Sequence, residues 1–346
     1  MGIDLLPLFL FALFLIGIKP VKGKGNINEH YLSLYTGSNL RGLFALVIVF
    51  HHIALYTDLG FLFRLFTHIG RLSVAVFFFL SGYGLQKSYM GSEKYKYHFL
   101  QRRLPKILIP YVGVTILFWI LHALHGNIYS IGQIIGAVLR GAPIVSFSWY
   151  IIAICHFYFA YWLFMLICKN NYNLMIIFAC LWYVVYCIVC RKLEYDAYWY
   201  DSAYLLIFGM VYAIYEHKLV QKIKVHYSII TPTAIIGFFL TMYGLRFVNS
   251  ESSWMILTML SAVLFVLSVV LIIMKIKIGN SILDYFGKIS LEIYLVQGLF
   301  IAGLRSNIIY IVNDLTWAVM VTLGSILLAA ILHKIFAAVT KRCLPI

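Results

Sequence analysis

The chain has 346 residues, 63% hydrophobic, 17% aromatic and only 11% charged, with a mean hydropathy of +0.93. Soluble domains carry roughly 25% charge, so this composition excludes a soluble enzyme, a disordered chain and a fibrous repeat. The net charge of +15 leaves two readings, a nucleic-acid surface or the basic loops of a polytopic membrane protein, and the placement of the charges decides between them.

A helix needs about 20 apolar residues to cross the hydrocarbon core. In chain order, runs of that kind lie near 3–18, 40–57, 70–90, 107–125, 147–168, 173–190, 199–216, 228–247, 254–274, 283–304 and 315–337. These eleven runs predict an all-α polytopic integral membrane protein. The short alternating strands of a membrane barrel are not seen. The first run has Asp4 as its only charge, and neither a basic n-region nor a small-residue cleavage site, so it is read as a retained helix and not a signal peptide.

The segments after the odd-numbered runs, with Arg41, carry 20 of the 27 Lys and Arg, among them Lys19, Lys22 and Lys24. The opposite side has seven: Arg64, Arg71, Arg140, Arg191, Lys192, Arg246 and Arg305. That asymmetry puts the N-terminus outside and the C-terminus in the cytoplasm, and no nucleic acid is needed to explain the charge. Cys187 and Cys190 have CxxC spacing, but no second pair or nearby His completes a zinc site, so the cysteines are read as packing residues and no metal is expected.

Ionisable groups inside spans are costly and so are functional candidates. In the second run, Arg41 and His52 are eleven residues apart, three turns plus about 20°, which sets both on one helix face, while His51 points about 100° away from His52. The plain alternative is a topology anchor and a polar helix contact. In the third run, Ser81, Gly82 and Gly84 interrupt an aromatic stretch, and a small-residue packing notch is the favoured reading there. Arg102, Arg103 and Lys106 cluster where the fourth run begins; they either belong to the charge asymmetry or form a phosphate site for a nucleotide-bearing donor. Glu292 lies within the tenth run, and Arg41 or a basic-loop residue is its expected partner. The acids and aromatics around Asp196, Trp199 and Asp201 are expected to be exposed on the outer side.

Taken together, Arg41 with His52, Phe78-Phe79-Leu80-Ser81-Gly82, Arg102-Arg103-Leu104-Pro105-Lys106-Ile107, the SWYI at Ser148 to Ile151, and Ser290 to Leu295 resemble the membrane acyltransferase 3 family of bacterial O-acyltransferases. The match spans roughly 38–340. The resemblance implies a ten-helix acyltransferase domain, taken as 31–346, preceded over 1–30 by an extra helix and a basic cytoplasmic loop. It implies a bacterial plasma membrane, an acyl-CoA donor (acetyl-CoA in first place) on the cytoplasmic side, and a cell-surface glycan or other hydroxyl acceptor reached from outside. By the same resemblance His52 and Arg41 are essential, joined here by Glu292 as catalytic candidates, with Arg102, Arg103, Lys106 and Ser81 at the donor. Lys106 stands where Arg is usual, and Gln297 where many relatives carry His.

Transfer from a thioester to a hydroxyl needs a base or an acyl carrier, and a positive group near the oxyanion. His52 suits either of the first two roles. A proton-coupled exporter or a flippase of a glycolipid or small molecule is the competing class.

Overall fold

The computed structural model of the chain describes residues 2–23, 26–57 and 60–343; Lys24, counted above, lies outside them. The helices are α1 (Leu5–Leu15), α2 (Leu34–Ala54), α3 (Gly70–Gly91), α4 (Phe99–Arg103), α5 (Pro105–Leu124), α6 (Ile131–Leu139), α7 (Trp149–Cys168), α8 (Tyr172–Lys192), α9 (Leu205–Gly244), α10 (Glu251–Lys275), α11 (Ser281–Lys288), α12 (Ser290–Gly303) and α13 (Asp314–Cys343). Side chains cap several of them: Ser33, Asn171 and Asn280 each accept a first-turn backbone N–H, of α2, α8 and α11. Among the described residues, seven helices are long and apolar enough to cross a membrane, and up to eight if the bent pair α11–α12 is one span.

α9 runs for 40 residues, about 60 Å if straight, or twice the hydrocarbon thickness. It leaves helical geometry at His226, and the contacts show that it folds back there. Tyr204, at its start, donates to Met259 O. Met242, near its end, meets Arg71, which also donates to Thr258 O and Ser261 Oγ. Both ends of α9 therefore lie against one stretch of α10, while Tyr227 in the middle donates to Leu271 O at 2.8 Å, near the far end of α10. The expected spans 199–216 and 228–247 are the two arms of this hairpin. The first arm begins only at Leu205, because Ala197–Trp199 forms a 3-10 turn.

The remaining contacts sort into two ends. At the basic end, Lys19 and Pro20 pair antiparallel with Lys277 and Ile276. Glu216 there accepts from Tyr31 and Tyr83 and pairs with Lys87 at 2.6 Å. At the opposite end, Asp4 accepts the backbone N–H groups of Phe61 and Phe63, Arg305 pairs with Asp314, and Arg191 pairs with Glu251. α1, α2, α3, α5, α7, α8, the two arms of α9, α10, α11–α12 and α13 are thus eleven helical segments that correspond to the eleven apolar runs, among the described residues. α1 is shorter than a full crossing, and it braces α2 at both ends: Asp4 holds the turn after α2, and Asn280 donates to Leu13 O and Ile16 O while its backbone N–H reaches Asn39 Oδ1 on α2.

α2 is buried along almost its whole length, which is why it can carry polar groups that lipid would not accept. Backbone approaches through glycine hold it and α3 in place. A Cβ at Gly42 would lie 2.1 Å from Leu283 O, and one at Gly287 1.9 Å from Ser38 O, so α2 and α11 touch backbone to backbone. Gly82 and Gly209 do the same for α3 and α9. The periphery is the reverse of a soluble protein: Leu108, Val112, Ile116, Ile120 and Leu124 form an exposed i+4 row down α5 that suits lipid.

Candidate active site

Arg41, on the second turn of α2, lines a small cavity of about 150 Å³. Its walls come from several other passes: Val74 and Phe77 of α3, Ile107 of α5, Tyr150, Ile151, Ile154 and Tyr158 of α7, Ser290, Leu291 and Tyr294 of α12, with Ile48 of α2 itself. Segments far apart in the chain that carry the resemblance noted above therefore converge on one apolar slot. Among the described residues the Arg41 guanidinium has no hydrogen-bond or ion-pair partner. It leans toward the basic end, since a Cβ at Gly37, one turn back, would lie 3.9 Å from its Nη1.

His52 lies one turn beyond Ile48, where the slot stops, and is 7% exposed. Its ring stacks on Phe147, centroids 3.8 Å apart and planes within 15°. His52 Nδ1 and Gln297 Oε1 are both buried without partners, and the Gln297 side chain stands alongside the imidazole. His51 points elsewhere, with Nδ1 2.9 Å from Phe66 O in the turn after α2. Adjacent histidines thus have separate surroundings, as a 100° step requires.

Glu292 has a partner other than the expected one. Its Oε1 is 2.8 Å from Nδ1 of His333 on α13, and it meets neither Arg41 nor the basic loop. Helix phase explains this correction: Ser290, Leu291 and Tyr294 share one face of α12, and Glu292 lies on the other.

Ser81 Oγ is 3.3 Å from the Tyr158 hydroxyl, on the slot wall. Its neighbour Gly82 is the packing notch, against Leu206 O, while nothing lies within 4 Å of a Cβ at Gly84. Arg103 donates from Nε and an Nη to the Tyr95 hydroxyl, at 3.1 and 2.8 Å. Arg102 is exposed and lines a second, open cavity of about 550 Å³ with Ser92, Lys94, Tyr95, Tyr97 and His98. Lys106 is exposed on the first turn of α5, beside the wall residue Ile107. The structure therefore brings Arg41 and the Ser81–Tyr158 contact to one slot, sets His52 just past its end, and groups Arg102 and Arg103 at its basic-end approach.

Two expectations on the outer loop are corrected. Asp196 is exposed, but Trp199 and Asp201 are 2% and 3% exposed. Tyr186 OH donates to Trp199 O, which ties the turn that carries both residues to α8. Three contributors to the site went unread in the sequence: Phe147, Tyr294 and His333. Tyr294 belongs to the quoted Ser290–Leu295 segment, so its motif did mark the place.

A family model described as an acyltransferase domain matches residues 38–334, most of the chain and every wall of the slot. Comparisons with curated proteins and with solved structures returned no match. With its site assembled from those residues, the chain belongs to the acyltransferase 3 family and is a membrane-bound acyltransferase.

Proposed function

We propose that the protein moves an acyl group, acetyl in first place, from acyl-CoA on the cytoplasmic side of the bacterial plasma membrane to a hydroxyl of a cell-envelope glycan or similar acceptor on the outer side. The observation that carries this reading is the partnerless Arg41 guanidinium in an apolar slot that ends one turn short of the buried His52. A half-buried cation with no direct ion-pair partner in an apolar slot is costly, and an anionic ligand at that point removes the cost. The slot is small and apolar and is lined along α2 from Arg41 to Ile48, which suits the thioester end of a carrier with a short acyl group. The open basic cavity beside Arg102 offers a place for a phosphate-bearing head, and Tyr95 fixes the Arg103 fork next to it.

In this reading His52 is the general base. The acceptor oxygen attacks the thioester carbonyl, a C–O bond forms as the C–S bond breaks, and the hydroxyl proton passes to His52 Nε2 and on to the leaving thiolate. The unpartnered Gln297 Oε1 alongside the ring is the acceptor that Nδ1–H would take on closing up, which leaves Nε2 free to accept. Arg41, leaning toward the basic end, grips the donor, Ser81 sets the Tyr158 hydroxyl in the wall, and Lys106 adds charge at the approach. Glu292 is a positioning residue: its pair with His333 fixes α12, which carries Tyr294 and Gln297.

The test compares envelope glycans for an ester gained or lost with the gene, at equal membrane levels of each variant. His52→Ala loses about 10²–10⁴-fold in transfer, Arg41→Ala raises the KM for the donor, and His51→Ala keeps most activity. An active His52→Ala variant removes the base assignment.

A further inference from the structure

Phe147 is a bulky residue in the left-handed region, with φ of 65°. Crowding of its β-carbon disfavours that conformation, and such residues persist where the surroundings hold them. Here the hold is specific. The Tyr294 hydroxyl donates to Phe147 O, and Ser148 Oγ donates to Val145 O at 2.8 Å, with Val145 fully buried. The segment reaches this depth because α12 has Gly298, where a Cβ would come within 2.9 Å of the Ser146 Cβ. The Phe147 ring is only half-buried, while the imidazole beneath it is almost sealed.

We propose that Phe147 is the gate of the reaction centre. This rests on the acyltransferase reading. In the arrangement observed, the ring lies flat on His52, which is almost sealed, so the base is withheld from water and acceptor while the stack stands. Opening takes the residue out of its strained backbone conformation, which offsets the loss of the stack, and the latch is a single hydrogen bond from Tyr294. Tyr294 also lines the slot, so the same side chain faces the donor and holds the gate. The purpose is chemical. A thioester beside a base and a free water hydrolyses: the water oxygen attacks the carbonyl, the C–S bond breaks, and the thiolate takes the proton. A closed gate withholds that water until a hydroxyl acceptor displaces the ring.

Two measurements on the purified full-length protein test this. In a His52→Cys background, labelling of the introduced thiol by a water-soluble maleimide is followed by peptide mass spectrometry, with and without Phe147→Gly. Glycine adopts positive φ freely, so the backbone is relieved and the cap removed. If the open state is a minor one of 0.1–10%, labelling rises about tenfold or more. Should Phe147→Gly fail to purify as a single species, Tyr294→Phe, which deletes only the latch hydroxyl, takes its place with a smaller rise expected. Equal labelling in gated and ungated proteins overturns the gate. Separately, with His52 present, acetyl-CoA hydrolysis without acceptor rises by a similar factor in Phe147→Gly. Increased labelling with no acetyl-CoA turnover in either protein upholds the gate and overturns the acyltransferase reading of the site.

Discussion

Burial acts on Asp201 without full compensation. The side chain is 3% exposed, and its Oδ1 and the neighbouring Ser202 Oγ have no hydrogen-bond partner. Removal from water pushes its carboxyl up to about 6, against the opposing pull of Arg71. The native state therefore holds a proton that the unfolded chain has already lost between pH 4 and 6. Stability from this group is present below the unfolded value and falls as pH rises toward 6, by roughly 3 kcal/mol in all. Asp201→Asn lacks that loss. Its melting temperature in detergent, relative to the wild type, climbs from pH 4 to 6 and is flat above; a constant difference across that range refutes the assignment. Nothing local in the sequence separates Asp201 from the exposed Asp196, since both sit among aromatics, and only the packing of the 3-10 turn against the helices hides one of them. Arg41 and His52 were legible because two costly residues on one helix obey a fixed angular rule. Phe147 was not, because a left-handed backbone at a non-glycine residue leaves no mark on composition or period, and His333 was not, because its partner Glu292 comes from another helix.

At the scale of elements, apolar runs marked every pass, and what escaped them were the joints. The two arms of α9 read as separate spans with a polar stretch between, yet the chain stays helical through it and breaks only at His226. α11 and α12 read as one span, but a bend of 75° divides them. That bend lets α11 lie against α2 through Gly42 and Gly287, and turns α12 so that Tyr294 faces the slot. The SG-x-G segment of α3 shows how one motif serves two ends: Ser81 reaches the slot wall, and Gly82 brings α3 onto α9. A Cβ at Gly82 would sit 1.8 Å from Leu206 O, a backbone atom that cannot step aside alone, whereas nothing lies within 4 Å of one at Gly84. Gly82→Ala must push α3 and α9 apart, at a cost of about 1–3 kcal/mol or more. We expect it to lower the melting temperature and the yield of monodisperse protein, while Gly84→Ala leaves both near wild type. Equal tolerance of the two changes would mean that α3 and α9 are not in backbone contact.

For the whole molecule, the contacts sort into two ends between which the helices run, and the charges distinguish those ends. The end that joins Lys19 to Lys277 and Lys87 to Glu216 also holds the basic approach of Lys94, Arg102 and Arg103. The opposite end has few cations, and two of them, Arg191 and Arg305, are paired with acids. Lys and Arg are retained on the cytoplasmic side of short loops, so we expect the basic end to face the cytoplasm. The direction matters to the proposed chemistry, because Arg41 and Ile48 put the slot on the basic-end side of His52, while the Phe147 gate precedes α7 at the other end; reversal would put the donor site where no acyl-CoA is made. Single cysteines at 94, 222 or 277, in a background without native cysteines, are expected to resist an impermeant maleimide in intact cells and to react once the membrane is opened. Cysteines at 127 or 308, both exposed at the opposite end, should react in intact cells. Labelling at 94 from outside would invert the orientation and, with it, the assignment of donor and acceptor sides, while leaving the fold and the Arg41 slot as they stand.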